Sequence, residues 1–334
     1  MKTSIVLTSI NTPTPAVRSI AEECQLRKQR FIVIGDVTTP EPYAVDGCEY
    51  WSVEGQRRAG YSFAMACPTR SYARKNIGYL LAMSGGSEVI IETDDDNFPT
   101  QGFWDARSLR HGARLSYMDG WVNAYQFFTE VKVWPRGFPL DSVSAPGPWF
   151  ELKANACLPC PIQQGLADQN PDVDAVYRLV GKLPITFRRD LKLLLGRGSW
   201  CPFNSQNTTW FPPAFPLMYL PATCSIRMTD IWRGFVAQRI GWENGWGIMF
   251  HSPTVYQDRN PHDLMSDFCD EVPGYLHNRA IAAGLDGLSL VPGVENIGRN
   301  MTACYELLVD MRMVDQAELR LLAAWLSDIE EIRC

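Results

Sequence analysis

Ser87-Glu88-Val89-Ile90-Ile91-Glu92-Thr93-Asp94-Asp95-Asp96-Asn97 is the stretch on which the reading of this chain turns. Val89, Ile90 and Ile91 are apolar and β-branched, and three carboxylates follow after two further residues. A short apolar run that ends in a charge cluster is the pattern of a buried parallel strand whose C-terminal end opens onto a site. Ligands of open α/β sheets collect at that edge. Three adjacent aspartates repel one another, so they need solvent or a cation. Hard oxygen ligands suit Mn²⁺ or Mg²⁺, and a site built on one or two carboxylates leaves positions for substrate phosphates. Asp94, Asp95 and Asp96 therefore read as a metal–diphosphate site for a nucleotide or nucleotide-sugar. The plainer reading is an acidic solvated turn, and the placement directly after an apolar strand weighs against it.

Upstream, Ser4 to Ile10 reads as a first strand ending in Thr8, Ser9 and Asn11, small polar residues able to meet a base or ribose. Ala16 to Arg27 reads as a helix, and Phe31 to Asp36 as a second strand ending in Gly35-Asp36. Two strands with polar C-terminal edges imply a βαβ nucleotide-binding start. Asp36 is a candidate for base or ribose contact, or a turn residue after glycine. A helix over Ser71 to Met83 carries Arg74 and Lys75 near its start, where cations oppose the helix dipole. Either a diphosphate or an ion pair to the aspartates explains them.

Downstream, Trp134-Pro135-Arg136-Gly137 fixes a rigid turn that holds the Arg136 guanidinium in place, with stacking on Trp134 as the plain alternative. Asp172 and Asp174 are candidates for a base or for a helix cap. The amide and hydroxyl run Asn204 to Thr209, Asn207 included, suits sugar hydroxyls or simply a polar loop. Asp230 opens a helix through Trp242, and capping alone explains it. His251, one of 4 histidines, ends an apolar run and is a candidate to complete a metal shell. Asp315-Gln316-Ala317-Glu318 resembles a capping box before an apolar helical stripe.

Composition sets limits. With 334 residues, 46% of them hydrophobic and 20% charged, the chain fits a globular protein of one large or two intimately packed domains. A net charge of −6 without basic blocks lacks the footprint of a nucleic-acid binder. No window approaches the roughly 18 apolar residues that cross a bilayer. The expectation is a soluble, cytoplasmic protein, with peripheral membrane association left open. The 10 cysteines form no compact framework, which suggests reduced thiols, and Cys157 and Cys160 lack the partners of a zinc site.

In order along the chain, Thr8-Ser9-Ile10-Asn11, Gly35-Asp36, Ala73-Arg74-Lys75-Asn76, Asp94-Asp95-Asp96-Asn97 and Trp134-Pro135-Arg136-Gly137-Phe138-Pro139-Leu140 are followed by Pro171-Asp172-Val173-Asp174, Asn204-Ser205-Gln206-Asn207 and Thr229-Asp230-Ile231-Trp232. Pro253 to Gln257 with Arg259, Asn260 and His262 closes the set. Together these motifs resemble the STELLO-type glycosyltransferase family and, more distantly, the reversibly glycosylated polypeptides that include plant UDP-arabinopyranose mutases. The resemblance implies a GT-A fold, a Rossmann-like α/β architecture with a mostly parallel central sheet flanked by helices. It places that unit over residues 1–265, with a helical region over 266–334 packed on it. It further implies a metal-dependent transferase that takes a nucleotide-sugar donor, a UDP-sugar foremost, and a glycan, lipid-linked or small acceptor. Thr8, Ser9, Asn11 and Asp36 would meet the nucleoside, Arg74 and Lys75 the diphosphate, and Asp94 to Asp96 the metal. Asp230 becomes the leading acceptor-activating base, and Arg136 matches the arginine that the mutases glycosylate. Asn97 stands where the mutases typically carry Cys. The membrane-spanning N-terminal part of plant STELLO proteins has no counterpart in these motifs, so their Golgi setting is not expected to carry over.

Overall fold

The computed structural model describes residues 1–116, 119–143, 152–261 and 263–333. Its strands are β1 (Thr3–Thr8), β2 (Arg30–Ile34), β3 (Glu49–Trp51), β4 (Val89–Thr93), β5 (Asn97–Pro99), β6 (Arg110–Ser116), β7 (Gly120–Trp121), β8 (Leu152–Pro159), β9 (Ile162–Asp168), β10 (Lys192–Leu195), β11 (Ser199–Trp200), β12 (Asn207–Trp210) and β13 (Ile248–Gln257). β3, β2, β1 and β4 lie side by side and run parallel, joined by crossovers that contain the helices Pro15–Arg27 and Lys75–Ser84. Ile5, Leu7, Phe31 and Val33 face one side with Val17 and Ile20, whereas Val6, Ile32 and Ile34 face the other with Ile77 and Leu80. Both faces are covered, which is why these strands are apolar along their length instead of alternating.

Beyond β4 the sheet becomes mixed. β12 runs antiparallel to β4 and β9, β13 is parallel to β9, and β10, β6 and β8 complete the far edge. β5 leaves the aspartate triplet and pairs with the end of β13, Asn97 opposite Gln257. That pairing brings the loop after β13 onto the triplet. A parallel N-terminal half continuing into a mixed half, with helices on both faces, is the GT-A-like α/β arrangement.

The helices Leu264–Asp286, Ile297–Asp310 and Glu318–Arg333 pack into the same apolar cluster as β4, Tyr305 and Trp325 joining Ile90 and Phe235. The capping box expected at Asp315 to Glu318 does not form. Asp315 accepts from Ala317 N at 2.8 Å, while fully buried Glu318 turns inward and accepts from Ala222 N, Thr223 N and the Tyr219 hydroxyl. The inward carboxylate satisfies orphan N–H groups of a neighbouring turn, a stronger demand than its own helix end. Among the described residues the cysteines are free thiols, and no helix is long and apolar enough to cross a membrane. His262 lies outside the described residues.

Candidate functional site

A cavity of about 820 Å³ opens at the C-terminal ends of β1, β2 and β4. Thr8, Ser9, Asn11 and Asp36 line one end, Asp94, Asp95 and Asp96 the floor, and Arg136, Asp172 and Asp230 the other end. The first two groups meet because parallel neighbours end on the same edge. A capping contact then fixes the floor. Thr14 caps the helix Pro15–Arg27 by accepting from Val17 N at 3.1 Å, and its hydroxyl donates to the Asp95 carbonyl.

The three aspartates are held by different donors. Asp95 accepts from Ser9 Oγ at 2.5 Å, Asn11 Nδ2 at 3.0 Å and Asn260 Nδ2 at 3.2 Å. Asp96 accepts from Gln257 Nε2 at 3.0 Å and Asn260 N at 3.2 Å. Asp94 accepts from the Tyr72 hydroxyl at 3.0 Å and Lys75 Nζ at 3.3 Å, both on Oδ1. Desolvation pushes Asp94 up to about 6 against the pull of Lys75, and it raises Asp96 as well. Among the described residues no three acidic, histidine or cysteine side chains converge into a closed metal cage. Carboxylates crowded by burial, with Asp94 Oδ2 left outside the hydrogen bonds, fit an open site in which one or two of them share a cation with substrate oxygens.

Both flanking cations are committed to the protein. Lys75 is buried and donates to Thr93 O at 2.8 Å and Tyr72 Oη at 2.9 Å in addition to its ion pair with Asp94. Arg74 lines the cavity, yet its Nε donates to Gln56 Oε1 at 2.8 Å and its Nη1 to Cys67 O at 3.1 Å. Asp36 faces the cavity while accepting from Val37 N at 2.6 Å and Ser71 N at 3.0 Å.

At the opposite end, Arg136 sits between two carboxylates. Its Nε and Nη2 donate to Asp172 at 2.8 and 2.7 Å, and its Nη1 and Nη2 to Asp230 at 3.0 Å each. The remaining Nη1 proton goes to the Arg227 carbonyl. Gly137 at φ 85° turns the chain after it, a conformation that side chains resist. Stacking on Trp134 is not what holds this guanidinium; Trp134 instead donates to Asp174 at 2.6 Å. With all five N–H groups used and two carboxylates holding the proton on, Arg136 presents no lone pair for a glycosyl group. Asp230 is not the helix cap. Met228 holds that position without a side-chain bond, and Asp230 points from the first turn to Arg136, Ser205 N and Ser205 Oγ. Burial alone would raise its pKa, but the Arg136 guanidinium outweighs it and holds Asp230 well below the usual carboxylate range. It is ionised and weakly basic. Tyr72 links the floor to this end, since its hydroxyl meets both Asp94 and, at 2.6 Å, Ser205 Oγ.

Three expected site residues lie away from this cavity. His251 stands six residues before Gln257 on β13, about 20 Å along a strand. It packs on Gly165, where an added Cβ would come within 2.7 Å of the imidazole, and burial followed by Arg107 lowers its pKa to about 3. Asn207 bonds Leu166 O at 3.0 Å and Thr254 Oγ1 at 2.9 Å inside the sheet. Asp174 caps the helix Ala175–Val180 by accepting from Tyr177 N at 2.7 Å, and burial pushes it up to about 7. Strand direction and capping decided these positions, not chemistry toward a ligand. Conversely, Tyr72, Arg178, Arg227, Gln257 and Asn260 come to the cavity wall or its floor. Gln257 and Asn260 lie in a motif of the family resemblance and Tyr72 beside the flagged Arg74; Arg178 carries no local signal.

Fold and site together define an α/β protein of GT-A-like architecture with a carboxylate floor at its strand ends. Residues 227–334 match the family model described as STELLO glycosyltransferases. The chain is 27% identical to the probable glycosyltransferase STELLO2 of Arabidopsis thaliana over 97% of its own length and 44% of the relative's. To the probable glycosyltransferase STELLO1 of the same plant it is 29% identical, over 76% of this chain and 35% of that one. Thus the chain spans less than half the length of these curated relatives. A crystal structure of a mycobacterial protein overlaps 83% of the chain and 74% of its own at a TM-score of 0.42 and 8% identity, a likeness too slight to argue from. By sequence the chain is similar to the STELLO-type glycosyltransferases.

Proposed function

We propose that this protein is a metal-dependent glycosyltransferase that moves a sugar from a nucleotide-sugar donor, a UDP-sugar foremost, to a hydroxyl of a glycan, lipid-linked or small acceptor. The observation that carries the reading is the single cavity in which the polar ends of β1 and β2, the Asp94 to Asp96 floor and the Arg136–Asp172–Asp230 cluster face one another. Thr8, Ser9, Asn11 and Asp36 take the nucleoside end. Asp94, with Asp95 or Asp96, would hold Mn²⁺ or Mg²⁺, which would supply Lewis-acid stabilisation for a nucleoside diphosphate leaving group. Arg136 keeps Asp230 ionised, so it orients sugar hydroxyls by accepting hydrogen bonds, with Asp172 beside it on the same guanidinium. As a general base Asp230 is handicapped by its low pKa, since proton abstraction is most effective when the base titrates near the working pH.

The test is a calorimetric titration with UDP, GDP and CDP, with and without Mn²⁺, on the wild type and the Asp95→Ala, Asp96→Ala double variant. We expect metal-dependent binding of one nucleotide by the wild type and its loss in the variant. Binding that is indifferent to metal and to both substitutions, or no binding of any nucleotide, removes the transferase reading.

A further inference from the structure

Cations along the far end of the cavity are paired with carboxylates, with one exception. Arg136 holds Asp172 and Asp230, Arg227 meets Glu271 at 2.8 Å, and Arg259 meets Asp267 at 2.6 Å. Arg178 makes no ion pair among the described residues. Its Nη2 donates to the Pro171 carbonyl at 3.0 Å and its Nη1 reaches Asn170 Oδ1 only at 3.5 Å. Its Nε is buried without a hydrogen-bond partner, and no other cavity-lining residue among those described has such an orphaned side-chain atom. Burial, then the neighbouring Arg259 and Arg227 cations, outweigh the pull of Asp172 and Asp267 and lower its pKa to about 10. It therefore remains charged at neutral pH, with Asp172 and Asp267 acting on it only from beyond ion-pair distance. A buried, charged N–H without an acceptor is unfavourable, and a guanidinium with most of its fork unused matches a carboxylate or phosphate.

We propose that Arg178, flanked by Arg227 and Arg259, forms a subsite for an anionic group, so that one of the sugars handled in this cavity carries a carboxylate or a phosphate. That the ligand is a sugar rests on the transferase reading; that it is anionic rests on Arg178 alone. The subsite lies at the Asp172 end, where Arg178 donates to the carbonyl of the preceding Pro171. The charge arrives either on the sugar of the donor or on the acceptor.

Binding to the full chain separates these cases. In one arm UDP-glucuronate is compared with UDP-glucose in Mn²⁺, and in the other free glucuronate and glucose 1-phosphate are compared with glucose. We expect the charged ligand of at least one arm to bind ten-fold or more tightly than its neutral counterpart. That preference should fall toward unity in Arg178→Gln and survive in part in Arg178→Lys, both variants keeping the wild-type thermal midpoint. A preference in the first arm assigns the anion to the donor, and one in the second to the acceptor. No preference in either arm, or one that persists in Arg178→Gln, overturns the subsite. The free-sugar arm reads Arg178 even if no nucleotide binds, so its failure is distinct from failure of the transferase reading.

Discussion

Arg136 and Arg178 line the same cavity in opposite states. Arg136 is 5% exposed, uses every N–H and lies between two carboxylates; Arg178 uses two N–H groups on neutral oxygens and leaves Nε unpaired. The first arrangement is complete in the protein alone. The second is complete only when something else supplies an acceptor. A cation that the fold has fully satisfied is a positioning device, whereas a half-buried one whose Nε the fold encloses without an acceptor points to a ligand.

The largest test of this contrast is Arg136→Met. It strands Asp172 and Asp230 in the interior without their cation, and removing one partner of such a cluster is expected to destabilise by about 3–5 kcal/mol in urea unfolding. Wild-type stability in this variant would falsify the claim that the two carboxylates depend on Arg136. A second effect comes from Asp174, whose folded pKa near 7 stands above its ordinary value of 3.8. The folded state then binds more protons than the unfolded one between those values, so this group makes stability fall as pH rises from about 4 to 7, by at most roughly 1.4 kcal/mol per pH unit. In Asp174→Asn that slope should flatten, and an unchanged slope would show that Asp174 does not titrate there. Tyr72→Phe removes the hydroxyl between Asp94 and Ser205 and should cost about 1 kcal/mol, read from the urea midpoint. Smallest of all is Arg178→Gln, expected within about 0.5 kcal/mol of wild type because no ion pair is lost. If it destabilises as much as Arg136→Met, the contrast between the two arginines collapses.

The parts of the site that could be read in advance are those in which local pattern implies position. An apolar run ending in carboxylates places Asp94 to Asp96 at a strand end, and the same logic brings Thr8, Ser9 and Asp36 to the same edge. His251 satisfied the same pattern and went elsewhere, because β13 enters the site through Gln257, at its other end. A residue's place on a strand is local information; which end of that strand faces the ligand is not. Asp230 was explicable as a cap from its neighbours and proved to be an Arg136 partner, since a helix's first turn also presents side chains to whatever packs against it.

By itself the sequence determined β1, β2 and β4, the first crossover helix and the carboxylate floor, because hydrophobic runs, caps and β-branching act over a few residues. Tertiary structure alone decided which charges meet. Arg136 finds Asp172 and Asp230 across 36 and 94 residues of chain. The charge state of Asp230 follows from its burial and its neighbours, and both are set only when the sheet and the helix Thr229–Glu243 have closed around the cavity.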